Sequence, residues 1–392
     1  MTKNRNKKTT GVYVHIPFCV RKCNYCDFLS FAGDEAVKER YVDMVCSEIE
    51  AYCRDRSITA DTVFIGGGTP SVLKPKLIER LMDAVRTGFS LTEDCEMTIE
   101  ANPGTVDGEK AEVFKSSGIN RISLGVQSMD DDLLRRLGRI HSRKDFLKTY
   151  ELLRNKGFDN INTDLMFSLP GQNFEKWKNT LEETADLKPE HISFYSLIIE
   201  EGTPFYEEWK KGSLEEISDD DDRKMYHFAS EMLNEKGYVH YEISNAALPG
   251  RESKHNLKYW SMEEYAGFGL GAHSFVEGVR YENTRDMEEY LKLYAKAPDL
   301  WEERYNVINR NTVKDNAEEF VFTGLRKLEG IYKDDFAKLV GNDIYDIYSK
   351  EINKMVNEGL LKDHGSRIAL TKKGIDISNY VMREFIKDKW KL

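Results

Sequence analysis

Short apolar runs alternate with longer amphipathic stretches along the first half of the chain. Runs rich in β-branched and aromatic residues occur at VYVHI (12–16), TVFIG (62–66), EMTIE (96–100), RISLGV (121–126), INTDLMF (161–167) and HISFYSL (191–197). Between them lie helical patterns such as EAVKERYVDMVCSEIEAYC and SRKDFLKTYELLRNKG, the second closed by a stop glycine. Repeated strand–helix units predict an α/β fold on a parallel sheet, a partial or full (β/α) barrel. Residues 11–275 are assigned to this core, preceded by a disordered basic tail, 1–10. Beyond the core, 276–314 read as an irregular connecting segment. Residues 315–392 read as helices followed by a short hairpin, a winged-helix-like C-terminal domain.

Bulk properties narrow the function classes. With 392 residues there is room for one large core of roughly 200 to 250 residues plus a smaller unit. No run approaches the roughly 18 apolar residues of a spanning helix, and mean hydropathy is −0.58. The start, MTKNRNKKTT, is basic, but no apolar segment of a secretory leader follows it. A net charge of −11 with a pI near 5.4 argues against a nucleic-acid-coating protein and makes the C-terminal domain a docking lid rather than a DNA reader. Six cysteines in so long a chain do not form a disulfide framework, and a reducing cytoplasm is the expected setting.

Three of those cysteines, Cys19, Cys23 and Cys26, fall within eight residues, in GVYVHIPFCVRKCNYCDF. Three chemistries fit. Structural zinc wants four ligands, and His15 would complete a set of one histidine and three cysteines, although no second pair follows. A redox pair needs only the CNYC portion and leaves Cys19 surplus. An iron–sulfur cube can be held at three corners by one loop, leaving the fourth iron open. Cys46, Cys53 and Cys95 read as structural.

Barrel logic tests whether other unusual residues share the rim with this loop. The second strand ends in GGGTP (66–70), the third in EANPG (100–104), the fourth runs into GVQS (125–128), and the fifth holds Asp164 before SLPGQ (168–172). The glycine run permits close backbone approach but lacks the Lys-Ser or Lys-Thr of a phosphate loop. GFGLGA (267–272) is likewise no dinucleotide fingerprint. Glu100, Gln127, Arg139 and Asp164 offer acceptors and donors suited to a zwitterionic, ribose-bearing ligand.

Taken together, YVHIPFCVRKCNYC, FIGGGTPS, IEANPGT, LGVQS, LGRIHS, TDLMFSLPGQ and YEISN resemble the radical S-adenosylmethionine (SAM) proteins of the oxygen-independent coproporphyrinogen oxidase group, from about residue 11 to about 275. The resemblance implies a [4Fe–4S] cluster on Cys19, Cys23 and Cys26, with SAM on the open iron. It implies SAM contacts at Tyr13, Gly67, Gly68, Thr69, Glu100, Gln127, Arg139 and Asp164. It also makes reductive SAM cleavage to a 5′-deoxyadenosyl radical available. Two branches of the group matter here. The porphyrinogen-oxidising branch carries a fourth cysteine two positions after the third and a longer N-terminal arm; this chain has Phe28 there and only about ten residues before the motif. The HemW-type haem-chaperone branch carries H-N-x-x-Y-W, matched by HNLKYW: His255, Asn256, Tyr259 and Trp260. Helical spacing sets those aromatic rings near the His255 face, imidazole is an ordinary haem ligand, and GLGAHS supplies His273 as a further candidate. The expectation is a haem chaperone that binds a cluster, SAM and haem. It would deliver haem to acceptor proteins, bind no nucleic acid, and have a peripheral membrane association available through its acceptor. The alternatives are an oxidative decarboxylase of coproporphyrinogen III and a zinc-stabilised interaction protein.

Overall fold

Alternate residues of the first strand face two different environments. In β1 (Thr10–Ile16), Val12, Val14 and Ile16 are fully buried beneath helices, while Tyr13 and His15 point into the barrel. Burial on both faces is what helix-covered parallel strands require. A computed structural model describes residues 9–296 and 305–387; the proposed tail lies almost wholly outside them.

Strands and helices then alternate: α1 (Glu35–Cys53), β2 (Thr59–Gly67), α2 (Pro75–Gly88), β3 (Ser90–Ala101), α3 (Gly108–Ser116), β4 (Arg121–Gln127), α4 (Asp131–Arg136), α5 (Arg143–Asn155), β5 (Ile161–Phe167), α6 (Phe174–Asp186) and β6 (His191–Ser196). Side-chain caps explain where most of these helices begin. Asp34, Asp107, Asp130 and Asn173 each accept a first-turn amide, and Ser142 forms a reciprocal capping box with Asp145. Gly157 ends the α5 turn at φ +80°, as the sequence pattern predicts.

Six parallel strands run in order from β1 to β6. The barrel is partial, because antiparallel strands finish both edges. After α7 (Pro204–Lys210) and α8 (Asp219–Glu235), β7 (Val239–Glu242) and β8 (Asn245–Ala247) pair beyond β6. Then α9 (Lys254–Trp260) leads to β9 (Tyr265–Phe268), which returns parallel to β1. The stretch read as an irregular connection is more ordered than expected. β10 (His273–Val276) straddles its start, it carries β11 (Val279–Glu282), α10 (Met287–Lys296) and β12 (Asn306–Arg310), and these strands extend the sheet to twelve. Period-2 alternation in segments of only four or five residues is too short to stand out from loop sequence.

The C-terminal unit comprises α11 (Val313–Gly324), β13 (Ile331–Tyr332), α12 (Lys333–Val340), α13 (Ile344–Asn357), β14 (Leu361–Asp363), β15 (Arg367–Leu370), α14 (Lys372–Asp376) and α15 (Ser378–Arg383) around its own apolar core. It docks on the barrel where Ile243 N donates to Arg326 O (3.1 Å) and Leu328 N to Tyr241 O (3.0 Å). No described helix is long and apolar enough to cross a membrane.

Candidate functional site

The loop between β1 and α1 carries the three cysteines, and backbone bonds shape it. Cys19 N donates to Phe31 O (3.0 Å) and Phe31 N to Pro17 O (2.9 Å), which closes the loop's base. Asn24 pins its tip: its amide nitrogens reach Leu137 O and Arg136 O (2.9 Å each), and Phe205 N donates to Asn24 O. The glycine run at the end of β2 serves this packing. A Cβ on Gly68 would stand 2.7 Å from Ile16 O and 2.8 Å from Phe18 O, so only glycine lets the loop's backbone lie against β2.

This loop roofs a cavity of about 500 Å³. Cys19, Cys23 and Cys26 share its wall with Gly67, Gly68, Thr69, Glu100, Gln127, Arg139 and Asp164. Seven of the eight residues assigned to SAM by resemblance therefore converge on one space with the thiols. Tyr13 does not. It lines a different cavity, where its hydroxyl donates to His15 Nδ1 (3.0 Å) while His15 Nε2 donates to Leu29 O (2.9 Å). With both ring nitrogens engaged, His15 has no lone pair for a metal, which removes the fourth zinc ligand that the sequence offered.

Local bonds orient the rim. Arg139 reaches Asn102 Oδ1 (2.6 Å), Gly125 O (2.5 Å) and Cys23 Sγ (3.6 Å), and Asn102 Nδ2 continues to Thr69 Oγ1 (2.9 Å). Cys19 Sγ lies 3.4 Å from the same Thr69 oxygen. Gln127 holds a left-handed backbone (φ 66°), uncommon outside glycine, and accepts from Tyr195 OH (3.2 Å). Asn102 and Tyr195 went unassigned from the sequence. Tyr195 was findable, because strict alternation in β6 sets it on the inward face with His191 and Ser193.

Two buried carboxylates dominate the electrostatics. Glu100 accepts from Gly67 N (3.0 Å), yet burial, and then the charge of Asp164, raises its pKa to about 7. Burial also raises Asp164, against hydrogen bonds from Asn162, Ser193 and Ser123. A cationic group entering here would meet acceptors short of positive charge. The thiols fit a cluster in the same sense: Cys26 is raised by burial and by the neighbouring Cys23 and Cys19 sulfurs, which iron would relieve. The residues present thus fit a cluster with a zwitterionic ligand. Cys46, Cys53 and Cys95 lie elsewhere, each unpaired and raised by burial to about 12, in keeping with structural roles.

A second cavity, about 360 Å³, shares no lining residue with the first. Tyr259 and Trp260 of the HNLKYW phrase line it, together with Tyr13, Tyr265, Phe275 and His273. His255 does not. It is 1% exposed, its Nδ1 bonded with Thr62 Oγ1 and its Nε2 with Tyr259 OH (2.8 Å each). Burial, then the charges of Lys258 and Arg121, lowers its pKa to about 3. In this structure the expected iron ligand is a satisfied, neutral core histidine that props Tyr259, and Asn256 lines neither cavity. The helix that carries them is tied to the rim. Asp164 accepts from Asn162 Nδ2 (2.7 Å), Asn162 Oδ1 from His191 Nδ1 (2.6 Å), and His191 Nε2 from Tyr241 OH (2.8 Å), which takes Ser253 N, the N-cap of α9 (3.2 Å).

Comparison with known proteins agrees with this geometry. The Radical SAM superfamily model matches residues 13–184, and the HemN C-terminal domain model matches 311–377. The chain is 37% identical over 382 residues to the "Heme chaperone HemW" of Lactococcus lactis, covering 97% of this chain and 98% of that protein. It is 36% identical to the protein of the same name in Bacillus subtilis, covering 96% and 99%. The solved coproporphyrinogen III oxidase HemN from Escherichia coli superposes with a TM-score of 0.84, over 97% of this chain and 91% of that one; at 21% identity it shows the fold alone. With such likeness along its whole length, the chain belongs to the HemW family of the radical SAM superfamily.

Proposed function

We propose that this protein is a cytoplasmic haem chaperone that holds haem in its second cavity and hands it to haem-accepting proteins, with a [4Fe–4S] cluster and SAM in the rim cavity. One observation carries the reading: the chain is similar end to end to proteins named heme chaperones, and two residues of its HNLKYW phrase wall an aromatic cavity separate from the cysteine cavity. Cys19, Cys23 and Cys26 would hold the cluster, and Glu100, Gln127, Arg139 and Asp164 would orient SAM. When bound, this pair supplies one-electron chemistry through reductive SAM cleavage. The chain's own residues bind and position. Arg139 links the loop to β3 and β4, the two carboxylates favour a cation, and the cysteine loop roofs the site. All six cysteines are unpaired, which suits a reducing compartment.

A porphyrinogen decarboxylase is the second reading, favoured by the fold likeness to HemN. Against it, Phe28 stands where that branch has its fourth cysteine, and its side chain is 63% exposed. The test is anaerobic. The cluster is reconstituted, one equivalent of haem is added, and the Soret band is recorded while coproporphyrinogen III with SAM and reductant is assayed in parallel. A protein-bound Soret band without porphyrinogen loss is expected. Porphyrinogen consumption by a protein that does not bind haem would reverse the ranking.

A further inference from the structure

The second cavity contains one imidazole whose ring nitrogens are not already committed. β10 and β11 pair His273 with Glu282 and Phe275 with Arg280. Alternation along β10 therefore sets His273 and Phe275 on the same face, the one that lines the cavity. The His273 side chain is about half exposed, and its Nε2 lies 3.8 Å from Glu282 Oε2, beyond hydrogen-bond reach. His15 and His255 each spend both nitrogens inside the fold. Tyr259 spends its hydroxyl on His255, and Tyr265 accepts from Arg280 (3.4 Å).

Walls and charge complete the site. Tyr259, Trp260, Tyr265 and Phe275 offer flat apolar surfaces, with Tyr259 edge-on to Tyr265 at 4.6 Å. Arg280 is neutralised by Glu319 (2.6 Å). Arg285 is exposed next to Gly271 of the cavity lining, its Cγ 3.6 Å from where a Cβ on Gly271 would sit, and it has no carboxylate partner among the described residues. Burial, opposed by Glu282 and aided by Arg285 and Arg280, holds the His273 imidazole below its ordinary pKa, which leaves a lone pair free.

We propose that His273 is this protein's axial ligand to haem iron and that Arg285 receives a haem propionate, while His255 only supports the aromatic wall. The assignment rests on the haem-binding reading above. Haem is titrated into the intact, cluster-reconstituted protein, and wild type is compared with His273→Ala, Arg285→Glu, His255→Ala and His255→Gln, the last retaining a hydrogen-bonding side chain where alanine costs the fold. His273→Ala is expected to blue-shift the Soret band and weaken binding about tenfold or more, with added imidazole restoring the band. Arg285→Glu should weaken binding without moving the band, and His255→Gln should keep the wild-type band. A wild-type band in His273→Ala, or its loss in His255→Gln with His273 intact, overturns the ligand assignment alone. No haem bound by wild type overturns the chaperone reading with it.

Discussion

Glu100 shows how much one buried side chain can bias this site. Its carboxyl is driven up to about 7 by desolvation first and by Asp164 second, although Gly67 N donates to it. A carboxyl whose folded pKa exceeds its unfolded value of 4.5 holds its proton longer in the folded state. Its contribution is therefore whole below pH 4.5 and is lost as pH rises through about 7. Glu100→Gln, which keeps the acceptor for Gly67 and removes the charge, should raise the melting temperature of the cluster-free protein at pH 8. The expected gain is about 1–2 kcal/mol, shrinking as pH falls and gone only below pH 4.5. Equal melting of the two proteins at pH 8 would show that the charge is solvated. His255 obeys the opposite sign: a histidine buried neutral withdraws stability as pH falls below 6.5 toward about 3. Its part in the fold is thus measurable apart from any ligand.

At the scale of elements, the cysteine loop depends on a strand it does not belong to. The turn after β2 supports it through Gly68 N and Thr69 N, which donate to Ile16 O and Phe18 O (2.8 Å each). Gly68→Ala would press a methyl group against those same carbonyls. Because backbone on both sides cannot yield as a flexible side chain would, the change should cost about 1–3 kcal/mol and lower the iron and sulfide retained per chain after anaerobic reconstitution. Full iron loading with unchanged melting would refute this account of the glycine run. The same logic runs through α9. Glu96 accepts the amides of Lys254 and His255 (3.1 Å each), a carboxylate at a helix N-terminus, so α9 is held by β3 at one end and displays its aromatic residues at the other.

At the scale of the whole molecule, the C-terminal unit closes the second cavity as well as docking on the barrel. Thr323 of α11 is part of the lining, and Arg326 lies over the Trp260 ring at 4.4 Å while facing the fully buried Glu242 at 3.5 Å. Burial raises the Glu242 carboxyl and Arg326 counters it. Arg326→Ala should destabilise the protein by about 2–4 kcal/mol, since it strands a buried carboxyl and unstacks the indole. It should also speed proteolytic release of the C-terminal unit, and an unchanged digestion pattern with unchanged melting would count against coupling between the two units. Lys372 with Glu231 and His227 with Asp376 join the same surfaces.

Local pattern was enough for much of this. The six parallel strands, α1, α5 with its stop glycine, the cysteine loop, and the seven of eight SAM-assigned residues that share its cavity are legible because they follow strand ends in register and use side chains whose chemistry is rare in turns. Short strands such as β10 and β11 were not, since four alternating residues carry too little signal. Only the tertiary structure decided which histidine is free. His15, His255 and His273 are equivalent as letters, and the motif singles out His255. Whether an imidazole can bind anything depends on who already occupies its two nitrogens, and those partners, Leu29, Tyr13, Thr62 and Tyr259, come from four different segments brought together by the sheet.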